Sequence, residues 1–322
     1  MTTENFDTKA FRAALGTFTT GVTIITTTAA DGTRVGITAN SFNSVSLDPP
    51  LVLWSLAKTA NSLPVFNEAK YWNVHVLSAD QEWLSGKFAS RGEDKFSGIT
   101  LDNGVSSAPL LTDCTARFQC RTAFVHDGGD HIIFIGEVLK FDQSTLPPLV
   151  FQSGHYALAA RKPREEVRLT LAEPPPECSY TEDLLGYLLG RAHFQMINRL
   201  QGLFEKQKLE QAQFFILSVL CIKDKLTLDE INDYIAYTGY SVDQEDMNVL
   251  ISGGHVVVDK NRYLLTADGR EASLHQIAQA KAIEEELVET LGAGDAMALK
   301  LLLKRLIERT DPGLPDLWAV SA

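Results

Sequence analysis

Three consecutive prolines, Pro174, Pro175 and Pro176, separate two stretches of this 322-residue chain that differ in hydrophobic rhythm. Proline has no backbone N–H and a fixed φ, so such a run cannot continue a helix and takes extended polyproline geometry. With the charged stretch Arg161–Glu166 before it and Glu177 after it, the segment reads as a semi-rigid linker. The length exceeds what one core usually serves, so two domains are expected: residues 1–160, a linker at 161–180, and residues 181–322.

The first stretch reads as strands. Gly21–Thr28 is β-branched almost throughout, Asp31 and Gly32 supply a tight turn, and Arg34–Thr38 returns, the pattern of a hairpin. Further runs at Leu51–Leu56, Trp72–Leu77, Cys114–Arg121 and Ile132–Val138 are separated by short turns or helices. This spacing predicts a closed antiparallel barrel, an all-β or α+β domain. No G-x-G-x-x-G or P-loop occurs; Gly292-Ala293-Gly294 has no strand before it, which argues against a Rossmann site.

The second stretch is helical. Leu184, Leu185, Leu188 and Leu189, then Met196, Ile197 and Leu200, keep a spacing of three and four. Helices are predicted over Gln213–Ile222, over Thr227–Tyr237 with a capping pair Thr227 and Glu230, and over Ser241–Ile251. His255–Thr266 reads as two strands turning at Lys260 and Asn261, and residues 271–309 as helix.

No apolar run approaches the roughly 18 residues of a membrane span. The acidic, polar start Met1–Asp7 lacks the features of a secretory signal, which predicts a cytoplasmic location. Cys114, Cys120, Cys178 and Cys221 form no C-x-x-C pair and read as buried thiols rather than a disulfide scaffold or zinc site. A net charge of −12 gives no electrostatic footprint for nucleic acid or anionic lipid.

Gly36–Pro50 is dense in short hydroxyl and amide side chains. Such groups can converge on a polar ligand, or they can bond their own backbone in a turn. Four further blocks accompany it in order: Phe11–Gly16 with Thr20–Thr23, Phe88–Phe96, Gly128-Gly129-Asp130-His131, and Gly136-Glu137-Val138. Together they resemble the short-chain flavin reductases, the NADH-dependent reductase components of two-component flavin monooxygenases. The likeness is nearest to the long form found with 4-hydroxyphenylacetate 3-monooxygenase, and it covers residues 11–160.

The resemblance implies a flavin-binding split barrel using FMN or FAD with NADH. It puts the flavin against Thr38, Ala39, Asn40, Ser41, Ser44, Val45 and Ser46, with Lys58 and Arg91 supplying charge to its phosphate. Ser62, Phe88, Ala89 and Phe96 accompany these as binding candidates, and Tyr156 is a candidate for ring contact. His131, after the Gly-Gly-Asp turn, is the candidate catalytic residue beside the nicotinamide. No acid–base triad or metal is expected, because the two cofactors carry the chemistry and the protein orients them.

Residues 181–322 resemble the winged helix-turn-helix domains of the MarR family, whose terminal helices pair two subunits. Residues 177–322 hold 14 Lys and Arg against 23 Asp and Glu, and the expected recognition helix carries Asp243, Glu245 and Asp246 with no cation. That is the wrong charge for DNA. The resemblance instead implies a homodimer serving a flavin-dependent oxygenase, regulated by a phenolic effector such as 4-hydroxyphenylacetate. Arg191, His193, Phe194, Tyr234 and Tyr237 are its candidate pocket, or else part of a helical core and dimer face. The alternative function is a MarR-type transcriptional regulator that senses flavin or a ligand.

Overall fold

The structure, a computed structural model, describes residues 6–92, 94–161, 184–207 and 211–319. The predicted linker, from residue 162 on, and Cys178 lie outside the described residues. Two compact units are present, Met1–Lys162 with Gly292–Lys300, and Pro163–Leu291 with Leu301–Ala322.

The first unit runs α1 (Thr8–Gly16), β1 (Thr20–Gly21), β2 (Thr23–Thr28), β3 (Arg34–Ala39), β4 (Asn43–Leu47), β5 (Pro50–Ala57), α2 (Leu63–Glu68), β6 (Tyr71–Val76) and α3 (Glu82–Ala89). It continues through β7 (Leu101–Asp102), β8 (Leu110–Leu111), β9 (Ala116–Asp127), β10 (His131–Gln143), β11 (Val150–Gln152) and β12 (His155–Ala157). The main antiparallel sheet has the order β3-β2-β6-β9-β10-β5-β4. Its outermost strands, β3 and β4, are consecutive in sequence and joined only by Asn40, Ser41 and Phe42. Three residues can bridge roughly 14 Å at full extension, whereas seven strands laid flat would hold the outer two about 29 Å apart. The sheet therefore curls until its edges approach. Ser41 pins the seam: its hydroxyl accepts from Ser55 N–H at 2.9 Å and lies 3.1 Å from the Ser55 carbonyl on β5.

The β2–β3 hairpin forms where the sequence predicts it. Gly32 takes φ +87°, open to glycine without strain, and the Asp31 carboxylate accepts from Thr33 N–H at 2.9 Å. Threonines that face inward on β2 are satisfied: Thr26 donates to the Pro109 carbonyl and Thr27 to that of Tyr71. One core gathers Trp54, Phe66, Trp72 and Phe134, with the Trp54 and Phe134 rings stacked at 5.0 Å. Gly136 is required there, since a Cβ would stand 2.4 Å from Trp72 Cζ2. A second core joins Val22, Ile24, Leu77, Leu84, Phe88 and Leu149.

β9 and β10 run well past the apolar runs that announced them, reaching Asp127 and Gln143. Their polar ends are held by pairing rather than burial, with bulges at Ile135/Gly136 and Val138/Lys140 bending the ribbon.

The second unit contains α4 (Leu185–Gln207), α5 (Gln211–Ile222), α6 (Leu228–Ile235), α7 (Gln244–Ser252), β13 (Val256–Asp259), β14 (Arg262–Leu265) and α8 (Ala267–Leu291); the residues of α9 (Ala293–Thr310) are divided between the units. The capping pair at α6 is present: Glu230 N–H donates to Thr227 Oγ1 at 3.2 Å, and the Glu230 carboxylate accepts from Thr227 N–H at 2.8 Å. Instead of starting at Ser241, α7 starts at Gln244, because the Asp243 carboxylate caps Glu245 and Asp246. Lys260 and Asn261 turn the β13–β14 hairpin with φ of +49° and +65°. The single helix expected over 271–309 is two, broken at Gly292, whose φ of +85° no continuing helix allows. Ile216, Leu220, Ile231, Ile235, Met247 and Leu250 form this unit's core. No described helix is long and apolar enough to cross a membrane.

Candidate functional site

A cleft of about 1010 Å³ lies in the first unit between Gly32–Ile37, the Thr59–Ser62 turn after β5, and the segment that follows α3. Its floor depends on Gly36. The Phe88 ring lies over that residue's backbone so closely that a Cβ would meet it at 2.4 Å, and Phe96 at 3.2 Å. Phe88 and Phe96 pack edge to face with centroids 5.1 Å apart. Lys95 ties this wall to β3, donating to the Phe88 carbonyl at 2.7 Å and the Gly36 carbonyl at 3.3 Å. Partial burial pushes its ammonium below the ordinary lysine value.

Of the residues singled out from the sequence, Ser62, Phe88, Ala89, Arg91 and Phe96 line this cleft. Arg91 makes no hydrogen bond or ion pair with any other described residue. Ser62 begins α2 without a side-chain capping bond, so its hydroxyl is not committed to the helix. Thr38 and Ala39 continue β3 just past the lined stretch. Both are engaged locally: Thr38 donates to the Ser85 carbonyl at 2.7 Å, and the Ala39 carbonyl accepts from Thr23 at 2.6 Å.

Asn40, Ser41, Ser44, Val45 and Ser46 lie outside the cleft, around the seam and on the edge strand β4. The Ser41 hydroxyl is taken by the Ser55 backbone on β5, a partner outside its own turn. Tyr156 sits on β12, its hydroxyl 2.9 Å from Ser85 Oγ. Thr38, Ser85 and Tyr156 thus form a connected polar line behind α3.

Lys58 and His131 meet at the open end of β5 and β10, beside the cleft. His131 pairs across the sheet with Ala57, which is a lining residue. Lys58 Nζ lies 2.6 Å from the Asp127 carboxylate. His131 Nδ1 contacts Asp130 Oδ1 at 2.7 Å, and this ring holds the Asp130 carboxyl below the usual carboxylate range.

Gly36 and Lys95 were missed as functional positions. The signal for Lys95 was its place in Asp94-Lys95-Phe96; nothing in the sequence reveals that Gly36 faces Phe88.

In the second unit three of the five effector candidates, Arg191, His193 and Phe194, share α4, whereas Tyr234 is on α6 and Tyr237 just after it. Arg191 stacks on Tyr187 of the same helix, and His193 and Phe194 are ring neighbours on α4, with Phe194 exposed. Tyr234 packs on the α6 core, while Tyr237 is exposed. Among the described residues no group of three or more His, Cys, Asp or Glu is placed to hold a metal ion.

Residues 15–159 match the family model described as flavin reductase like domain. The FMN reductase (NADH) SmoA of Agrobacterium fabrum is 46% identical over 154 residues, 48% of this chain and 87% of that protein. HsaB of Rhodococcus jostii, the reductase subunit of a flavin-dependent monooxygenase, is 40% identical over 154 residues, 48% of this chain and 78% of its own. Among solved structures, the NADH:FAD oxidoreductase SgcE6 of Streptomyces globisporus aligns at 35% identity over 50% of this chain and 99% of that one, with a TM-score of 0.46.

Proposed function

The chain belongs to the flavin reductase-like family, and on that footing we propose that it is an NADH-dependent flavin reductase, reducing FMN or FAD and releasing the product to a flavin-dependent oxygenase. The observation that carries this reading is the cleft itself. An aromatic and aliphatic floor of Phe88, Phe96, Val35 and Ile37 is flanked by the Arg91 guanidinium, which has no partner among the described residues, and the uncapped Ser62 hydroxyl. That donor set suits a flat heteroaromatic ring carrying an anionic tail.

The nicotinamide supplies a hydride and the flavin accepts it. The protein's task is placement. Arg91 and Ser62 would hold the phosphate, and Ala89 and Phe88 with Phe96 shape the wall that Lys95 fixes to β3. Thr38 and Ala39, just past the lined stretch, would be the members of this run nearest the ring, while Asn40, Ser41, Ser44, Val45 and Ser46 lie around the seam and on β4. Because the Asp130 carboxylate can only accept, the bond places a proton on His131 Nδ1 and leaves Nε2 for the nicotinamide carboxamide. Tyr156 bounds the site from behind α3 through Ser85.

The finer reading divides the chain into a split-barrel domain at 1–160, a linker at 161–180 and a MarR-like winged-helix domain at 181–322 that binds a phenolic effector and takes part in homodimer formation. Support comes from the α6–α7 pair followed by the β13–β14 hairpin. Regulation requires that the effector bind the active and inhibited states unequally.

The test is NADH oxidation with added FMN or FAD, with and without 4-hydroxyphenylacetate and related phenols. Turnover that rises several-fold with one phenol agrees with the whole reading. Turnover indifferent to every phenol removes the effector, and no turnover with either flavin overturns the reductase. A mobility shift with DNA at low salt would favour the regulator instead.

A further inference from the structure

Lys58 resembles a phosphate ligand in sequence, but the structure gives its ammonium another partner. Asp127, the last residue of β9, receives Lys58 Nζ at 2.6 Å on Oδ2 and Gly129 N–H at 2.9 Å on Oδ1. The Lys58 backbone N–H donates to the Asp130 carbonyl at 2.9 Å, and Gly128 N–H donates to the His131 carbonyl at 2.9 Å. These contacts brace the turn Gly128-Gly129-Asp130 between Asp127 and His131.

This turn needs such holding. Gly129 has φ +88° and two successive glycines restrict the chain very little. A Cβ at Gly128 would stand 3.0 Å from Ile133 Cγ1, so the turn lies close against β10. Left unpinned, it would hold the His131 ring less firmly in one orientation. With it pinned, His131 stays opposite Ala57 at the edge of the cleft, its Nδ1 on Asp130.

We propose that Lys58 and Asp127 are positioning residues for His131, fixing the turn that aims its imidazole at the nicotinamide dinucleotide, and that Lys58 is not a ligand of the flavin phosphate. The proposal rests on the reductase reading for its ligand. Its geometry, the linkage of Lys58 to the turn, stands on the contacts alone.

Four variants separate the two roles. Lys58→Met removes the ammonium, Lys58→Arg keeps a cation, Asp127→Asn keeps the Oδ1 acceptor but loses the charge, and Asp127→Ala loses both. The readouts are KM for NADH and kcat, flavin affinity by fluorescence titration without turnover, and hydrogen exchange at the Gly129 amide. The pair is solvent-exposed, so its loss should raise KM for NADH about two- to fivefold, and Asp127→Ala should exceed Asp127→Asn. Lys58→Arg should restore the wild-type value. Lys58→Met added to Asp127→Ala should change nothing more, because the partner is already gone. Flavin affinity should stay within twofold throughout, and Gly129 exchange should quicken in Lys58→Met.

Loss of flavin affinity by tenfold or more in Lys58→Met, with Asp127→Ala neutral or tighter for flavin, would overturn the proposal in favour of a phosphate contact. Unchanged Gly129 exchange in Lys58→Met would overturn it as well. If the wild-type protein does not oxidise NADH, the reductase reading fails, and the exchange measurement still decides whether Lys58 holds the turn.

Discussion

Lowering the pH should destabilise the first unit through one residue, His75. Its ring is fully buried on β6. Nδ1 lies 2.9 Å from the Ile24 carbonyl, which can only accept, and Nε2 accepts from Leu111 N–H at 3.1 Å. The two backbone partners impose a neutral imidazole with its proton on Nδ1. Burial then holds its pKa down to about 4 against 6.5 for the free side chain. The unfolded chain therefore takes up a proton between these values while the folded chain does not. The stabilisation is fully present above about pH 6.5 and is lost as the pH falls toward 4. A shift from 6.5 to about 4 amounts to roughly 3 kcal/mol in full. About 2 kcal/mol of it is gone by pH 5.

The assay is equilibrium denaturant unfolding followed by tryptophan fluorescence, in which the buried Trp54 and Trp72 report on this unit. His75→Gln is the comparison, since an amide can donate to Ile24 and accept from Leu111 without titrating. Both proteins share every other acidic and basic group, so only the difference between their pH profiles counts. The wild type should lose about 2 kcal/mol more than His75→Gln between pH 7 and pH 5. Parallel profiles over that range would refute the argument.

Gly36→Ala should destabilise the first unit by about 1–3 kcal/mol, as overpacking does, and weaken flavin binding because Phe88 must leave the cleft wall; denaturant midpoints and fluorescence titration check both. Arg91→Gln should weaken FMN and FAD binding about tenfold, the loss of one charge-assisted hydrogen bond, with kcat at saturating flavin little changed. Gly269→Ala should cost the second unit about 3 kcal/mol, since a Cβ there would sit 1.9 Å from the His255 carbonyl oxygen, and the helical circular-dichroism transition should drop accordingly.

Local signals carried much of the fold. The β-branched runs, Asp31-Gly32, Thr227 with Glu230, and Lys260-Asn261 each became the element their chemistry demands, because each depends on contacts a few residues apart. What could not be read depends on contacts distant in sequence. The Ser41 hydroxyl goes to Ser55, fourteen residues away, and Lys58 to Asp127, sixty-nine away, so neither could be assigned from its neighbours. The extended ends of β9 and β10 escaped the hydrophobic pattern because they are held by pairing. In the candidate site the aromatic and cationic members Phe88, Arg91 and Phe96 were visible as a motif. The glycine that gives Phe88 its place was not, since the requirement at Gly36 arises only when α3 is laid across β3.

The charge arrangement of the second half follows the same logic of committed partners. A helix meant for a DNA groove would leave cations free along its exposed face and on the adjoining hairpin. Here the first turn of α7 carries Glu245 and Asp246 behind an Asp243 cap, carboxylates that favour the helix N-terminus but would repel phosphate. The hairpin's Arg262 is held in place: its guanidinium reaches both oxygens of Glu230 at 2.9 and 3.2 Å and donates to the Lys225 carbonyl at 2.6 Å. Glu230 also closes the capping box of α6, so the Arg262 contact ties the hairpin to that helix. A cation so engaged serves the stability of the unit. To meet a phosphate it would have to abandon a bidentate carboxylate and leave Glu230 to repel the same ligand. The start of α7 thus presents carboxylates, and the Arg262 guanidinium is committed to Glu230.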